Sequence, residues 1–273
     1  MKVEKRKILQ FSSAILYNLN FIGFKDATIY TGALKKMCVP GLNCYSCPGA
    51  IMSCPIGAFQ NHLMSIRGLN GIIIRFPYYV LGLILFFGVI FGRVVCGFLC
   101  PFGLFQELLY KIKSVKVKKN HTTKKITKIK YFILIIFVIL LPIILKYPSF
   151  CKFICPAGTL EAGIVHTIFN KRLREIIGFL FMWKFLILFV VVALSIFVYR
   201  PFCRFICPLG AIYGFFNKVS IFGLKIDLEK CTHCNACINY CLMDVKMVGD
   251  MECIECGECM KVCKEGAIKR YKV

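Results

Sequence analysis

Eight of the eighteen cysteines in this 273-residue chain fall in two copies of one spacing, Cys231-x2-Cys234-x2-Cys237-x3-Cys241 and Cys253-x2-Cys256-x2-Cys259-x3-Cys263. Three thiolates set two residues apart can hold three corners of a [4Fe-4S] cubane, while the fourth, three residues on, reaches across to the neighbouring cluster. The spacing therefore predicts one cluster on Cys231, Cys234, Cys237 and Cys263, and a second on Cys253, Cys256, Cys259 and Cys241. Structural zinc fits poorly, because zinc sites pair two Cys-x2-Cys units across a longer gap. A Pro commonly follows the fourth Cys of such a run; Leu242 and Lys264 stand there instead. That Pro shapes the exit turn and is not a ligand, so the ligand sets are unaffected. His233, inside the first run, either lends an N–H to a cluster sulfur or lies exposed in its loop.

A second pattern occurs three times: Cys96-Gly-Phe-Leu-Cys100-Pro-Phe-Gly, Cys151-Lys-Phe-Ile-Cys155-Pro-Ala-Gly and Cys203-Arg-Phe-Ile-Cys207-Pro-Leu-Gly. The four-residue step puts both thiols on one face of a helical turn, and a Pro after the second Cys suits the first position of a new helix. Phe98, Phe153 and Phe205 read as packing residues. A degenerate relative, Cys54-Pro55-Ile56-Gly57, follows Cys38, Cys44 and Cys47. Buried cysteine is common in apolar proteins, but paired thiols in three copies are a poor match to inert packing.

The elements that must position these thiols are membrane helices. Hydrophobic residues make up 58% of the chain and aromatics 14%, too apolar for an ordinary soluble domain. Phe76 to Gly92 carries no charge, Tyr131 to Leu145 is uncharged between Lys130 and Lys146, and Ile176 to Tyr199 is interrupted only by Lys184, which is expected to snorkel. Ile8 to Phe24 is a weaker span, diluted by Gln10, Ser12, Ser13, Asn18 and Asn20. Behind Lys2, Lys5, Arg6 and Lys7 it also reads as an interfacial helix or a signal h-region, but with no small-x-small cleavage site after it an uncleaved span is expected. The fold class expected is an α-helical polytopic membrane protein of about four transmembrane helices, residues 1–220, followed by a small α+β two-cluster ferredoxin-like domain, residues 221–273.

The net charge of +23 does not point to nucleic acid. Its densest stretch, Lys111 to Lys130 with nine lysines, abuts a span, and juxtamembrane lysines set orientation. With the N-terminus and that stretch in the cytoplasm, Lys25–Gly71 and Lys146–Glu175 lie outside, and everything after Tyr199 lies inside. The five basic residues within Lys146–Glu175 run against this topology. Cys96, Cys100, Cys203 and Cys207 then meet at the inner membrane face, enough for a further cluster or two redox-active dithiols. Cys38, Cys44, Cys47, Cys54, Cys151 and Cys155 fall at the outer face, where a metal site and disulfides are both open.

With ferredoxin spacing behind spans that end in Cys-x3-Cys-Pro, and with the segment Val39-Pro-Gly-Leu-Asn-Cys-Tyr-Ser-Cys-Pro-Gly-Ala, the chain resembles the membrane-bound polyferredoxins of the NapH-like and NosR-like type over nearly its whole length. The resemblance implies electron transfer between the quinone pool or soluble donors and a terminal reductase. This chain departs from that pattern by a third Cys-x3-Cys-Pro copy and the extra cysteines of residues 38–54, and it lacks a large extracytoplasmic flavin-binding region.

Thiolate-bound clusters without an acid/base or nucleophile constellation carry charge. The expected function is therefore a relay between a soluble cytoplasmic donor or acceptor and the cell membrane, ending at the quinone pool or a partner redox subunit, as an electron-transfer component of an oxidoreductase system. The spans carry no mid-membrane His for haem, so crossing ~30 Å of bilayer to the outer cysteines would need a quinone, an embedded cluster or a partner. His62, His166, Glu107 and Glu161 are candidate proton partners for a quinone, or else solvated loop residues. Two other classes remain open at this point: an assembly factor reducing metal or thiols for a respiratory complex, and a redox-sensing membrane regulator.

Overall fold

The computed structural model describes residues 3–65, 77–117, 119, 121–170, 174–175 and 177–272. Among the described residues, two helices are long and apolar enough to cross a membrane, Thr123–Leu145 and Phe179–Phe197. At 1.5 Å per residue their 23 and 19 residues reach about 34 and 28 Å, against a hydrocarbon core of about 30 Å. The helix Tyr78–Phe91 has 14 residues and reaches only about 21 Å. The outer ends of the expected spans, Phe76 and Ile176, lie outside the described residues.

Two spans differ from expectation. The Tyr131–Leu145 run is longer because the helix continues back through Lys130, Lys128 and Lys125 to Thr123 instead of giving way to loop. Its middle, Leu134–Leu140, is π-helical. Gln60 Nε2 donates to the Phe137 carbonyl at 2.8 Å within that stretch, supplying a side-chain partner where the helical ladder is disturbed.

The Ile8–Phe24 run is two helices, Val3–Tyr17 and Phe21–Asp26, broken at Asn18–Asn20. The first is inside out. Arg6, Gln10 and Ser13 are 3%, 0% and 6% exposed, whereas Ile8, Phe11 and Ile15 are 66%, 59% and 42% exposed. The polar residues that dilute this run therefore face protein: Gln10 Nε2 donates to the Cys100 carbonyl at 3.1 Å, and Ser13 Oγ to the Leu99 carbonyl at 3.2 Å. An apolar outer face over a hydrogen-bonded polar inner face is what a lipid surrounding selects.

Each Cys-x3-Cys-Pro motif builds the same corner. The first Cys lies in or beside a short helix, Val94–Phe98, Ser149–Phe153 or Pro201–Phe205. The second Cys leaves the turn in extended conformation and caps the next helix, with Pro at its start: Pro101–Tyr110, Pro156–Gly158 and Pro208–Phe216. Because Pro has no N–H, it occupies a position whose donor would have been orphaned.

The C-terminal part is closed by an antiparallel pair, Phe222–Ile226 with Ile268–Lys272, in the register Leu224↔Arg270. Leu224, Val248, Cys259 and Ile268 form its own small core. Met243, Val245, Cys253 and Ile254 instead belong to the large core that also holds Cys96, Cys100, Cys203 and Tyr213, so packing runs continuously across residue 220. Buried charges pin the two parts together. Arg204 pairs with Asp244, Arg93 with Glu252 at 3.0 Å, and Lys130 with Glu252 at 2.5 Å. Asn217 Nδ2 donates to the Asp250 and Cys253 carbonyls, both at 2.7 Å.

Candidate iron–sulfur sites

Two cavities in the C-terminal part take the two crossed ligand sets. Cys231, Cys234, Cys237 and Cys263 line one of about 470 Å³, and Cys241, Cys253, Cys256 and Cys259 line another of about 320 Å³, which Cys237 also borders. The two loops match in backbone as well as spacing. His233 and Asn235 in the first, and Glu255 and Gly257 in the second, all have left-handed φ between 53° and 80°. These residues hold equivalent places, two and four after the first Cys of each run, and the conformation curls the chain back around its cavity. His233 is exposed and borders the cavity of the first set. The Ala267 N–H lies 3.3 Å from Cys263 Sγ. The two sites differ in exposure: Cys234 is exposed, whereas Cys253 and Cys259 are buried. Burial pushes the Glu255 carboxyl up to about 8, against the opposing Leu224 N–H.

Cys96, Cys100, Cys203 and Cys207 come together. Burial pushes the Cys207 thiol up, and the neighbouring Cys203, Cys96 and Cys100 push it further. Gln106 Nε2 donates to Cys203 Sγ at 3.1 Å and the Gly210 N–H to Cys207 Sγ at 3.4 Å. Two arginines clasp the group reciprocally. Arg93, three residues before Cys96, reaches the Cys203 carbonyl at 3.5 Å; Arg200, three residues before Cys203, reaches the Cys96 carbonyl at 2.7 Å. Each also lies over the glycine of the opposite motif, where an added Cβ would sit 3.3 Å from Arg93 at Gly210 and 3.0 Å from Arg200 at Gly103. Both guanidiniums are fully buried. The sequence signal for them is Arg-x2-Cys-x3-Cys-Pro-x-Gly, which recurs at both places; Arg93 does not snorkel at the end of its span but is buried against the opposite motif.

The second C-terminal site abuts this group. A side chain at Gly97 would run into the Ile254 carbonyl, and one at Gly214 would sit 2.7 Å from the Met251 carbonyl. Arg6, Glu107 and Tyr199 line the cavity that holds Cys241, Cys253, Cys256 and Cys259. Glu107 is not a solvated loop residue: it is 4% exposed and lies between Arg6 and Arg200, each at 2.8 Å. Burial pushes its carboxyl up, but Arg200, Arg6 and the Tyr199 hydroxyl outweigh burial and hold it at about 2. Held in the ionised form, this carboxylate is a charge partner for the two arginines.

The segment expected as an outer loop is not separated from this group by a bilayer's thickness. Residues 38–43 are buried; an added Cβ at Gly41 would lie 3.0 Å from Cys100 Cα, and Tyr213 Oη donates to the Pro40 carbonyl at 3.0 Å. The Leu42 N–H points at Cys100 and the Asn43 N–H at Cys54. The backbone can fold back this far because its polar groups find protein partners.

Around Cys54, the thiols of Cys44, Cys151 and Cys155 gather: Cys151 feels Cys155, Cys54 and Cys44 as electrostatic neighbours. Cys47 faces Glu161 and Lys35 at the edge, and burial alone raises Cys38. Glu161 accepts the Cys44 N–H at 2.6 Å and is pushed up to about 7 by burial. His62 is exposed, while His166 Nε2 lies 3.0 Å from the Ser46 carbonyl. Lys184 does not simply snorkel. Its charge acts on Cys151 and Cys155, and a Cβ at Gly158 would sit 3.7 Å from its Nζ.

All eighteen thiols are free. Among the described residues, no three His, Cys, Asp or Glu side chains close in far enough to hold a single metal ion. The fold and these thiolate groups define the class, a largely helical iron–sulfur protein.

The sequence matches the 4Fe-4S binding domain family in three copies, residues 76–120, 130–174 and 180–228, each containing one Cys-x3-Cys-Pro corner. The chain belongs to that family. It is 37% identical over 185 residues to the uncharacterized protein MJ0749 of Methanocaldococcus jannaschii, covering 65% of this chain and 63% of the relative, thus less than two thirds of that protein. It is 33% identical over 190 residues to MJ0750 of the same organism, covering 66% and 72%. The ferredoxin-type protein NapH of Haemophilus influenzae is 27% identical over 201 residues, covering 68% and 65%. No solved structure matches the chain.

Proposed function

We propose that this protein is a membrane iron–sulfur relay with three thiolate sites in order of depth. Cys231, Cys234, Cys237 and Cys263 hold the exposed site; Cys241, Cys253, Cys256 and Cys259 hold the docked one; Cys96, Cys100, Cys203 and Cys207 hold the buried one. [4Fe-4S] clusters supply one-electron transfer at such sites. The exposed thiolates around Cys234 give a soluble cytoplasmic donor or acceptor its point of contact. Arg93 and Arg200 offset the negative charge that four thiolates concentrate in a buried place, and Glu107 fixes Arg200. The chain crosses the cell membrane with its C-terminal part, residues 221–273, in the cytoplasm and four apolar runs in the bilayer, and a quinone or a partner reductase is the other redox partner.

The observation that carries this reading is the contact at Gly97 and Gly214. It lays the backbone of Met251–Ile254, beside Cys253, directly on the corners that present Cys96 and Cys207. The ferredoxin-type relative supports the same electron-transfer role. Rapid-freeze EPR after mixing with a soluble reductant tests it: signals from the Cys231 and Cys253 groups should rise before that of the Cys96 group. Reduction of the Cys96 group at full rate in a Cys234→Ser, Cys256→Ser variant lacking both C-terminal clusters would refute the order.

A further inference from the structure

We propose that Cys44, Cys54, Cys151 and Cys155 hold a fourth [4Fe-4S] cluster, beside the Cys96 group, with Lys184 as its counter-charge inside the Phe179–Phe197 span. The inference rests on reading the Cys96 group as a cluster site, because it reads the second group as a copy of the first.

The copy is visible in the corners. Cys54-Pro-Ile-Gly57 and Cys155-Pro-Ala-Gly158 repeat the turn of Cys100-Pro-Phe-Gly103 and Cys207-Pro-Leu-Gly210. In all four, the N–H of the glycine three residues on points at the thiol sulfur, the type of hydrogen bond that supports a cluster thiolate. Each site thus has two Cys-Pro corners. In the Cys96 group each corner brings its own second thiol, four residues earlier. In the other group Cys151 does so for Cys155, but Ala50 stands four residues before Cys54. Cys44 fills that place. Its Sγ lies 3.6 Å from where a Cβ on Gly158 would be, as Cys151 Sγ lies 3.7 Å from that of Gly57, so each of these thiols sits over the glycine of the opposite corner.

The charge pattern follows the same logic. The first group has arginines three residues before each leading Cys; Pro148 occupies that place before Cys151. The cation comes instead from Lys184, whose charge reaches both Cys151 and Cys155. A lysine within a membrane helix is costly unless it meets negative charge, and four thiolates around a cluster provide it. The two groups adjoin: the Leu42 and Asn43 N–H groups, on consecutive residues, point at Cys100 and Cys54 respectively. The inner and outer cysteines, expected ~30 Å apart across the bilayer, are thus neighbours in this fold.

Iron and acid-labile sulfide are counted on anaerobically purified full-length protein, with Mössbauer spectra. The wild type should carry about sixteen irons, four per cluster. Cys54→Ser and Cys155→Ser should each lose about four and leave the C-terminal EPR signals unchanged, while Cys38→Ser and Cys47→Ser lose none. Lys184→Gln should keep all its iron and lower the potential of one cluster, with Lys184→Arg restoring it. About twelve irons in the wild type, unchanged in Cys54→Ser and Cys155→Ser, would overturn the fourth site while leaving the Cys96 group standing. Unchanged potentials in Lys184→Gln would remove the counter-charge role, and this variant reads out even where a cysteine variant fails to accumulate.

Discussion

Replacing Gly214 by Ala tests whether the C-terminal part is held against the Cys96 group as tightly as a relay requires. The new Cβ would stand 2.7 Å from the Met251 carbonyl oxygen and 3.7 Å from Arg93 Cδ. A carbon normally approaches a carbonyl oxygen no closer than about 3.3 Å, so the overlap is roughly 0.6 Å. Neither partner swings aside easily. Met251 O is main chain, accepting from Arg93 Nη1 at 2.7 Å, and the same guanidinium is tied to Glu252 at 3.0 Å. Forcing them apart should cost about 1–3 kcal/mol in overpacking, set against about 0.5–1 kcal/mol gained by putting Ala for Gly in a helix. The net expectation is about 0–2.5 kcal/mol of destabilisation, concentrated at the docking contact, and about 1–3 kcal/mol relative to a Gly→Ala change that meets no such overlap. Chelator-induced loss of iron from the Cys253 group, followed by EPR, should accelerate, and electron passage to the Cys96 group should slow. Gly82→Ala is the control, because a Cβ there meets nothing within 4 Å. A Gly214→Ala protein as stable and as fast as the Gly82→Ala protein would refute the reasoning.

Arg204→Ala leaves Asp244, 1% exposed against its partner's 2%, as an unpaired buried charge and should cost about 3–5 kcal/mol; limited proteolysis near residues 217–222 reads the undocking, and unchanged resistance would count against it. Arg200→Gln should retain iron in the Cys96 group but lower its potential by ~40–90 mV, from roughly 1–2 kcal/mol of lost charge interaction, measured by EPR-monitored titration. A reporter fused after Val273 should read cytoplasm and one inserted near Ile164 should read outside; an external reading at the C-terminus would overturn the orientation.

The cysteine loops were legible because they are local: Cys231, Cys234 and Cys237, like Cys253, Cys256 and Cys259, sit in a single stretch of chain with matching backbone turns, as do the Cys-Pro corners. What was not legible depends on long-range contacts. Arg93 and Arg200 are ordinary residues until two corners 107 residues apart face each other, when each reaches the other's carbonyl. Gln10 and Ser13 weakened the first span on a hydropathy reading, yet they bond to the Cys100 and Leu99 carbonyls while Ile8 and Phe11 take the outer face. The lysines of 124–130 suggested loop because charge opposes insertion, but Lys130 continues the helix and is neutralised by Glu252 from the C-terminal part. For residues 38–54, the number of membrane crossings set the expected side and could not reveal that Gly41 packs on Cys100.

The central claim, that two Cys-x3-Cys-Pro corners share one cluster, is tested most directly by iron content in Cys100→Ser, Cys207→Ser and the double variant, measured on the same anaerobic preparations. A shared site predicts that each single variant loses about four irons with the C-terminal EPR signals intact, and that the double variant loses no more than either, because removing one corner already abolishes the site. Wild-type iron in both single variants, or losses that add in the double, would contradict it.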